Sequence, residues 1–262
     1  MMTTKEVSVT TYIFKHILKQ LGVVIFWMAF SFIFFPWMFN GFDISKFSLK
    51  SSFKDIYVGS ILAFIIPCLA LFPYNDFKLL IQNGISRRTY WKARLFSFLG
   101  LSLLGQLLGI IISLLNPYTN HTWENGSMYM LLYGKYFTSS TTNSFLGLCF
   151  VLISTSVVTI IATFVGSFFS LFSKKTKVYT FIGFFVVGIV FINWIAIATQ
   201  NQSAHVIMKN MGQMMTFIFG ITPGNADGKW NPTMPFVTAI ITGIIATFGS
   251  YKVTQKFKIK NE

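Results

Sequence analysis

Hydroxyl side chains recur at helical spacing within one long apolar stretch of the chain. They stand three or four residues apart, so a helix would place them along one face: Ser156, Thr159, Thr163, Ser167 and Ser170. Small and hydroxylated residues let helices approach closely and hydrogen-bond within a membrane. The stripe therefore indicates either helix packing or the weakly polar wall of a translocation path. Asn193, in a later apolar stretch, indicates an interhelical hydrogen bond or a ligand contact in such a path.

Ionisable side chains are missing from the long apolar stretches, none of which contains Asp, Glu, Lys, Arg or His. Such groups inside a membrane mark proton relays and ion-coupled sites, so the sequence gives little support to ion-coupled transport. The chain has no His-Glu-x-x-His and no Gly-x-Ser-x-Gly, and its run "GITPGNADGKW" lacks the spacing of a phosphate-binding loop. Cys and His do not cluster at ligand spacing. We therefore expect no catalytic residue, no metal site and no cofactor in this chain.

The composition points to a chain that lies in lipid. Of the 262 residues, 53% are hydrophobic and only 11% are charged, which is more apolar surface than one soluble core can bury. A helix needs roughly 20 apolar residues to cross the hydrocarbon, and a β-barrel would show an alternating pattern that this chain lacks. We predict an all-α integral membrane protein, a single transmembrane domain over 1–262. Its six predicted spans are about 21–39, 56–73, 95–115, 143–172, 178–198 and 235–251. Gly105-x3-Gly109, with Gln106, predicts close helix packing in the third span.

Basic residues are concentrated in alternate connections between these stretches. Segments 1–20, 74–94, 174–177 and 252–262 hold 15 of the 21 Lys and Arg. Positive residues stay on the cytoplasmic side of a membrane, so we expect both termini, including a tail at 252–262, and the 74–94 connection to be cytoplasmic. Anionic lipid headgroups account for the net charge of +14 without any nucleic acid.

The N-terminal segment 1–20 carries a helical pattern of its own. Val9, Tyr12, Ile13 and Ile17 fall on one side of a helix, near two lysines. The pattern predicts either a cytoplasmic amphipathic segment on the inner leaflet or a simple extension of the first span.

A methionine-rich segment precedes the sixth span. Met208, Met211 and Met215 recur at helical spacing, but a lysine and the short apolar length argue against a seventh span. We therefore predict a short extracellular or re-entrant helix, closed by Thr222-Pro223-Gly224. Its soft thioether side chains either pack under the last loop or form a lid over an exit path.

The connection 74–94, "YNDFKLLIQNGISRRTYWKAR", combines basic residues with residues that end one helix and cap the next. It predicts a short helix from an N-cap at Asp76 to about Gln82, ended by Asn83-Gly84, and a second helix capped by Ser86. We expect a cytoplasmic elbow that exposes Phe77, Leu80, Ile85 and a basic rim. If the basic residues only kept this connection on the cytoplasmic side, that would explain the charges but not the residues that end and cap the helices. The candidate contact residues are Asp76, Phe77, Asn83, Gly84, Ile85, Ser86, Arg87 and Arg88.

The run "QNGISRRTYWKARL" resembles the Asn-Gly-hydrophobic-Ser-Arg-Arg/Lys-x-hydrophobic motif in permease subunits of type-two ABC exporters, especially those of low-GC Gram-positive bacteria. The six-span layout, the basic loop after span two and the helix before span six match the same family. The resemblance implies that the loop between spans two and three is a coupling helix, which docks into a groove on a separate ATPase. By position, the matching residues here are Asn83, Gly84, Ser86, Arg87 and Arg88.

This resemblance implies a non-catalytic subunit in a bacterial cell membrane, with ATP and Mg²⁺ bound by a partner. Its expected partners are two ABC ATPase subunits, a second permease copy or paralogue, membrane lipid and an amphipathic or lipophilic substrate. An antimicrobial peptide is one such substrate that would fit the Phe- and Met-rich interior. The alternatives are a stand-alone channel or carrier, and a membrane-embedded enzyme or immunity protein.

Overall fold

The computed structural model describes residues 3–43, 58–115, 128–198, 202–221 and 229–257. Within these ranges every regular element is helical, which confirms the predicted all-α fold for the part described. The helices are α1 (Thr4–Phe39), α2 (Val58–Ala70), α3 (Tyr74–Gln82), α4 (Arg87–Leu115), α5 (Met128–Tyr133), α6 (Ser140–Ser170), α7 (Lys174–Ala198), α8 (Gln202–Ile218) and α9 (Thr233–Gln255).

Four of these helices, α1, α4, α6 and α9, are long and apolar enough to cross a membrane. They include the predicted first, third, fourth and sixth spans. The predicted second span, 56–73, corresponds to α2, a shorter apolar helix of 13 residues. The predicted fifth span, 178–198, lies within α7. The six-span layout itself stays a prediction.

Helix α1 is continuous from the N-terminal segment into the first predicted span. It starts at a capping box, in which Thr3 Oγ1 accepts from the Glu6 amide at 3.3 Å and Glu6 Oε2 accepts from the Thr3 amide at 3.0 Å. Val9, Ile13 and Ile17 are buried, as their shared face predicts, whereas Tyr12 is exposed. The amphipathic pattern thus serves packing against the bundle, and no break separates it from the span.

Helix α4 lies at the centre of the bundle, where it packs against α1, α2, α6 and α9. Helix α6 packs in turn against α2, α5 and α9. One buried apolar cluster joins the first, second and fourth helices; it includes Ile13 and Ile17 of α1, Leu62 and Ile66 of α2, and Phe98 and Leu101 of α4.

Helices α2 and α4 approach so closely that backbone meets backbone. A Cβ added to Gly109 would lie 2.5 Å from the Cα of Gly59, and one on Gly105 would lie 3.1 Å from Ile66 Cδ1. Between the two α4 glycines, Gln106 Nε2 donates to the Gly59 carbonyl at 2.8 Å. The predicted close packing at Gly105-x3-Gly109 is confirmed, with Gly59 as the partner that permits it.

Helix α8 packs against α7 and α9. Its last turn closes where the Ile221 amide donates to the Thr216 carbonyl at 2.8 Å, with Gly220 at a φ of +64°. The helix predicted before the sixth span is therefore present. The predicted closing turn at 222–224 lies outside the described residues.

Candidate functional site

The elbow between α3 and α4 is built from two consecutive capping motifs. Gly84 takes a φ of +73°, which a glycine adopts without a Cβ penalty. The Ile85 amide donates to the Leu80 carbonyl at 3.1 Å and the Gly84 amide to the Ile81 carbonyl at 3.0 Å, which is the Schellman pattern. Ser86 then caps α4, since its Oγ accepts from the Thr89 amide at 3.1 Å.

The start of α3 differs from the prediction. The helix begins at Tyr74, and Pro73 rather than Asp76 is its N-cap residue, with no side-chain cap hydrogen bond. Proline fixes a backbone angle that suits the start of a helix, so this chain needs no carboxylate there. Asp76 instead lies in the first turn, where a negative charge favours the helix dipole, and its carboxylate is 3.6 Å from His16 Nε2.

The apolar side chains of the elbow face inward, contrary to the expectation that they are exposed. Phe77 is fully buried and Leu80 is buried, while Ile85 is half-buried against the same core. The Phe77 ring packs edge-on against Tyr90 and Phe257, with centroid separations of 5.4 and 4.8 Å. Burying these apolar side chains against α4 and the C-terminal tail is more favourable than exposing them to water. These residues therefore anchor the elbow to the bundle.

The outer rim of the elbow is basic and polar. Asn83, Gly84, Ser86, Arg87 and Arg88 are all exposed. The Asn83 side chain donates back to the Leu79 carbonyl at 2.8 Å, which holds the turn without covering the arginines. The exposed surface of the elbow therefore includes these five residues.

A buried arginine fixes α4 to the segment before the elbow. Arg94 is 4% exposed; its Nη1 donates to the Tyr90 hydroxyl at 3.0 Å and its Nη2 donates to the Ala70 carbonyl at the end of α2. The Tyr90 hydroxyl donates onward to the Pro73 carbonyl at 2.7 Å. A cation at a helix C-terminus is favourable, so this network links α2, α3 and α4 as one unit.

Both ends of the described chain also meet the elbow. Lys5 Nζ donates to the Gly84 carbonyl at 3.2 Å, and Lys92 Nζ lies 2.7 Å from Glu6 Oε1. The hydrogen bond from Lys92, together with the Thr3 amide, holds the pKa of the Glu6 carboxyl below its usual range. Phe257, after α9, lies on Phe77. The elbow thus contacts both α1 and Phe257 after α9.

The hydroxyl stripe of α6 lies between helices of the same chain. Thr159, Thr163, Ser167 and Ser170 are buried, and Ser156 is half-buried. Thr159 Oγ1 donates to the Thr155 carbonyl at 2.8 Å and lies 3.4 Å from Ser102 Oγ on α4, while Thr163 donates to the Thr159 carbonyl at 2.9 Å. These contacts support the packing interpretation, because hydroxyls bonded to their own helix permit close approach of a neighbouring helix.

The other candidate path residues are on α7 and α8. Asn193 is exposed and donates to the Ile189 carbonyl of its own helix at 2.8 Å, rather than to another helix. Met211 and Met215 on α8 are 40% and 53% exposed. The backbone of Met208 lies in α8, and its side chain falls outside the described residues. The hydrogen bonds given for the described residues join neither Asn193 nor these methionines to the α6 stripe, and their part in a transport path stays a prediction.

Sequence reasoning missed several residues that hold the elbow. Glu6 had a detectable signal, because Thr3-x-x-Glu6 is the capping-box pattern. Burial of Arg94 and the contact between Phe257 and Phe77 join residues distant in sequence, and no local pattern marks them.

Comparison with known proteins identified no relative: no family model, no curated protein and no solved structure matches the chain.

Proposed function

We propose that this chain is the membrane-spanning permease subunit of an ATP-driven exporter of the type-two ABC class, in a bacterial cell membrane. Six spans would form the transport path, and both termini would lie in the cytoplasm. The chain would pair with a second permease copy or a paralogue. Two separate ATPase subunits would bind ATP and Mg²⁺, and an amphipathic or lipophilic substrate, such as an antimicrobial peptide, would move outward.

The observation that carries this proposal is the construction of the elbow. A permease with no nucleotide site of its own needs a rigid surface through which a partner's closure can move its helices. The elbow combines two capped helix ends, a buried Phe77 anchor and exposed Arg87 and Arg88. Its hydrogen-bonded and packed links to α1, α2 and the C-terminus supply routes for such a displacement.

The positions of the basic segments support the proposed topology. The N-terminal turn, the elbow and the C-terminal end meet at one end of the bundle, through Lys5–Gly84, Glu6–Lys92 and Phe77–Phe257. Segments that share the cytoplasmic side of a membrane must lie at one end of the spans, and these three carry most of the basic charge.

Exposed apolar side chains support insertion into lipid. Large residues with more than half of their surface exposed occur on α1, α6, α7 and α9, among them Phe26, Phe145, Phe185 and Ile245. A water-soluble monomer rarely exposes so much contiguous apolar surface, whereas lipid covers it at no cost.

Charge reversal at the rim tests the docking role. Arg87→Glu with Arg88→Glu is expected to leave membrane insertion normal and to lower retention of the ATPase in gentle purification about tenfold, because rim charges orient a protein partner. The measurement is quantitative mass spectrometry of the ATPase recovered with the tagged chain.

The matched control reverses another basic pair, Lys174→Glu with Lys175→Glu, which begins α7 and is not part of the elbow sequence. This variant should retain the ATPase. Equal retention by both variants would contradict the role of Arg87 and Arg88, and transport that persists without any ATPase would favour a stand-alone channel or carrier.

A further inference from the structure

An open groove runs between α1 and α2, and neither the elbow nor the hydroxyl stripe accounts for it. It consists of two adjoining cavities of about 630 and 550 Å³, which share Val24 and Leu69 as lining residues. The first cavity lies beside the elbow and the second continues along the two helices. The groove therefore reaches from the basic end of the bundle into its apolar part.

The end of the groove beside the elbow is polar and carries charge. His16, Lys19 and Gln20 of α1 and Asp76 of α3 line it. The Asp76 Oδ1 atom lies 3.6 Å from His16 Nε2, which also lies 3.2 Å from Gln20 Nε2. Lys19 is exposed and makes no ion pair or hydrogen bond with any residue that the structure describes. The lysine is therefore the charge at this end that is open to a ligand.

The rest of the groove is lined mainly by apolar side chains. Met28 of α1 and Phe64, Ile65 and Leu69 of α2 form its walls, with Ser60 as the polar residue at the far end. Along α1, residues 16–28 extend about 18 Å, since a helix rises about 1.5 Å per residue. One leaflet is half of a hydrocarbon core about 30 Å thick. The groove is slightly longer than this, so it covers the depth of one leaflet.

We propose that this groove binds an anionic phospholipid, with its phosphate at Lys19 and one acyl chain along Val24 and Leu69 toward Met28. A cationic group at the mouth of a cleft between membrane helices recognises an acidic headgroup, and the apolar floor takes the chain. A wholly polar ligand would leave the floor exposed. A zwitterionic phospholipid carries its own cation beside the phosphate, so it would bind Lys19 more weakly than an anionic one. The inner-leaflet location rests on the proposed topology, but binding itself requires no ATPase.

Photolabelling of the full-length chain in nanodiscs tests this site. The probe is phosphatidylglycerol with a diazirine in the middle of one acyl chain, present in trace amount in phosphatidylcholine. We expect label concentrated on segments 24–28 and 61–69. Lys19→Gln should lower this labelling about fivefold, the effect of one lysine near an anionic surface. Val24→Trp, which fills the groove where the two cavities meet, should abolish it.

Lys15→Gln is the matched control, because Lys15 is an exposed lysine one turn earlier on α1 that does not line the groove. It should keep the wild-type labelling, and both lysine variants change exposed residues that the fold does not need. Label spread evenly over the apolar faces of α6, α7 and α9, or equal labelling by a phosphatidylcholine probe, would overturn the proposal. If the label is found as expected but no ATPase co-purifies, the proposed exporter role fails and the lipid site stands.

Discussion

Phe77→Ala is expected to release the elbow from the bundle. The wild-type ring is fully buried, and it packs against Tyr90 and Phe257. Removing a buried phenylalanine side chain costs about 3–5 kcal/mol. Because the elbow would open as a unit, its amides should exchange with solvent about a hundredfold faster or more. The measurement is hydrogen–deuterium exchange at residues 83–85, whose amides donate within the turn.

Leu79→Ala is the control for this change. Leu79 lies on the same helix but is 46% exposed, so its truncation should change the exchange little. The same Phe77→Ala protein should also lose ATPase retention, since an elbow that opens cannot transmit force. Similar exchange in the two variants would show that Phe77 does not anchor the elbow.

Gly109→Val is expected to separate α2 from α4. A Cβ at this position would lie 2.5 Å from the Cα and 2.7 Å from the nitrogen of Gly59, and neither atom can rotate away. Overpacking of this kind costs about 3 kcal/mol when only backbone can yield. A loss of this size corresponds to a fall of roughly 6–12 °C in the melting temperature of a chain of this length. The measurement is the temperature at which half the protein in detergent remains monodisperse.

Gly183→Val provides the comparison, because a Cβ at Gly183 on α7 would meet nothing within 4 Å. Its melting temperature should remain near that of the wild type. A fall of equal size in both variants would mean that valine disturbs these helices through the backbone alone, and not through the contact with Gly59.

Local chemistry in the sequence predicted the turn that joins α3 to α4, but not the first residue of α3 or the short helix α5. Asn83-Gly84 and Ser86 act through backbone angles and hydrogen bonds that span only a few residues, so their roles could be read from the order of residues alone. The Gly105-x3-Gly109 pattern similarly predicted close packing, because a helix without side chains at these positions can approach another.

The direction of the side chains could not be predicted in the same way. Phe77 and Leu80 lie on the apolar face of a short helix, and that face fits either a partner or the chain's own bundle. The choice depends on Tyr90 of α4 and on Phe257, which is far away in sequence, because both rings pack against Phe77 in the fold. The same reasoning applies to the α6 stripe. Its hydroxyls donate hydrogen bonds to Ser102 and to the backbone of α6, and the sequence alone does not show whether they bond there or face a transport path.

The charge pattern predicted a shared side of the membrane for several segments, but it did not predict the residue pairs that join two of them. The N-terminus and the elbow were both assigned to one side of the membrane, and they meet through Glu6 and Lys92 at 2.7 Å. Arg94 counted only as one more positive charge in the sequence, yet its guanidinium is buried against α2. A buried cation needs carbonyl partners whose positions only the folded chain defines.

The central claim is that the elbow docks a separate ATPase. The most direct test is purification of the tagged wild-type chain from its native host in nanodiscs, with mass spectrometry of the proteins that remain bound. We predict a stoichiometric ABC ATPase, whose recovery depends on residues 76–94. A chain that purifies alone in repeated gentle preparations, while it remains folded and monodisperse, would contradict the exporter role.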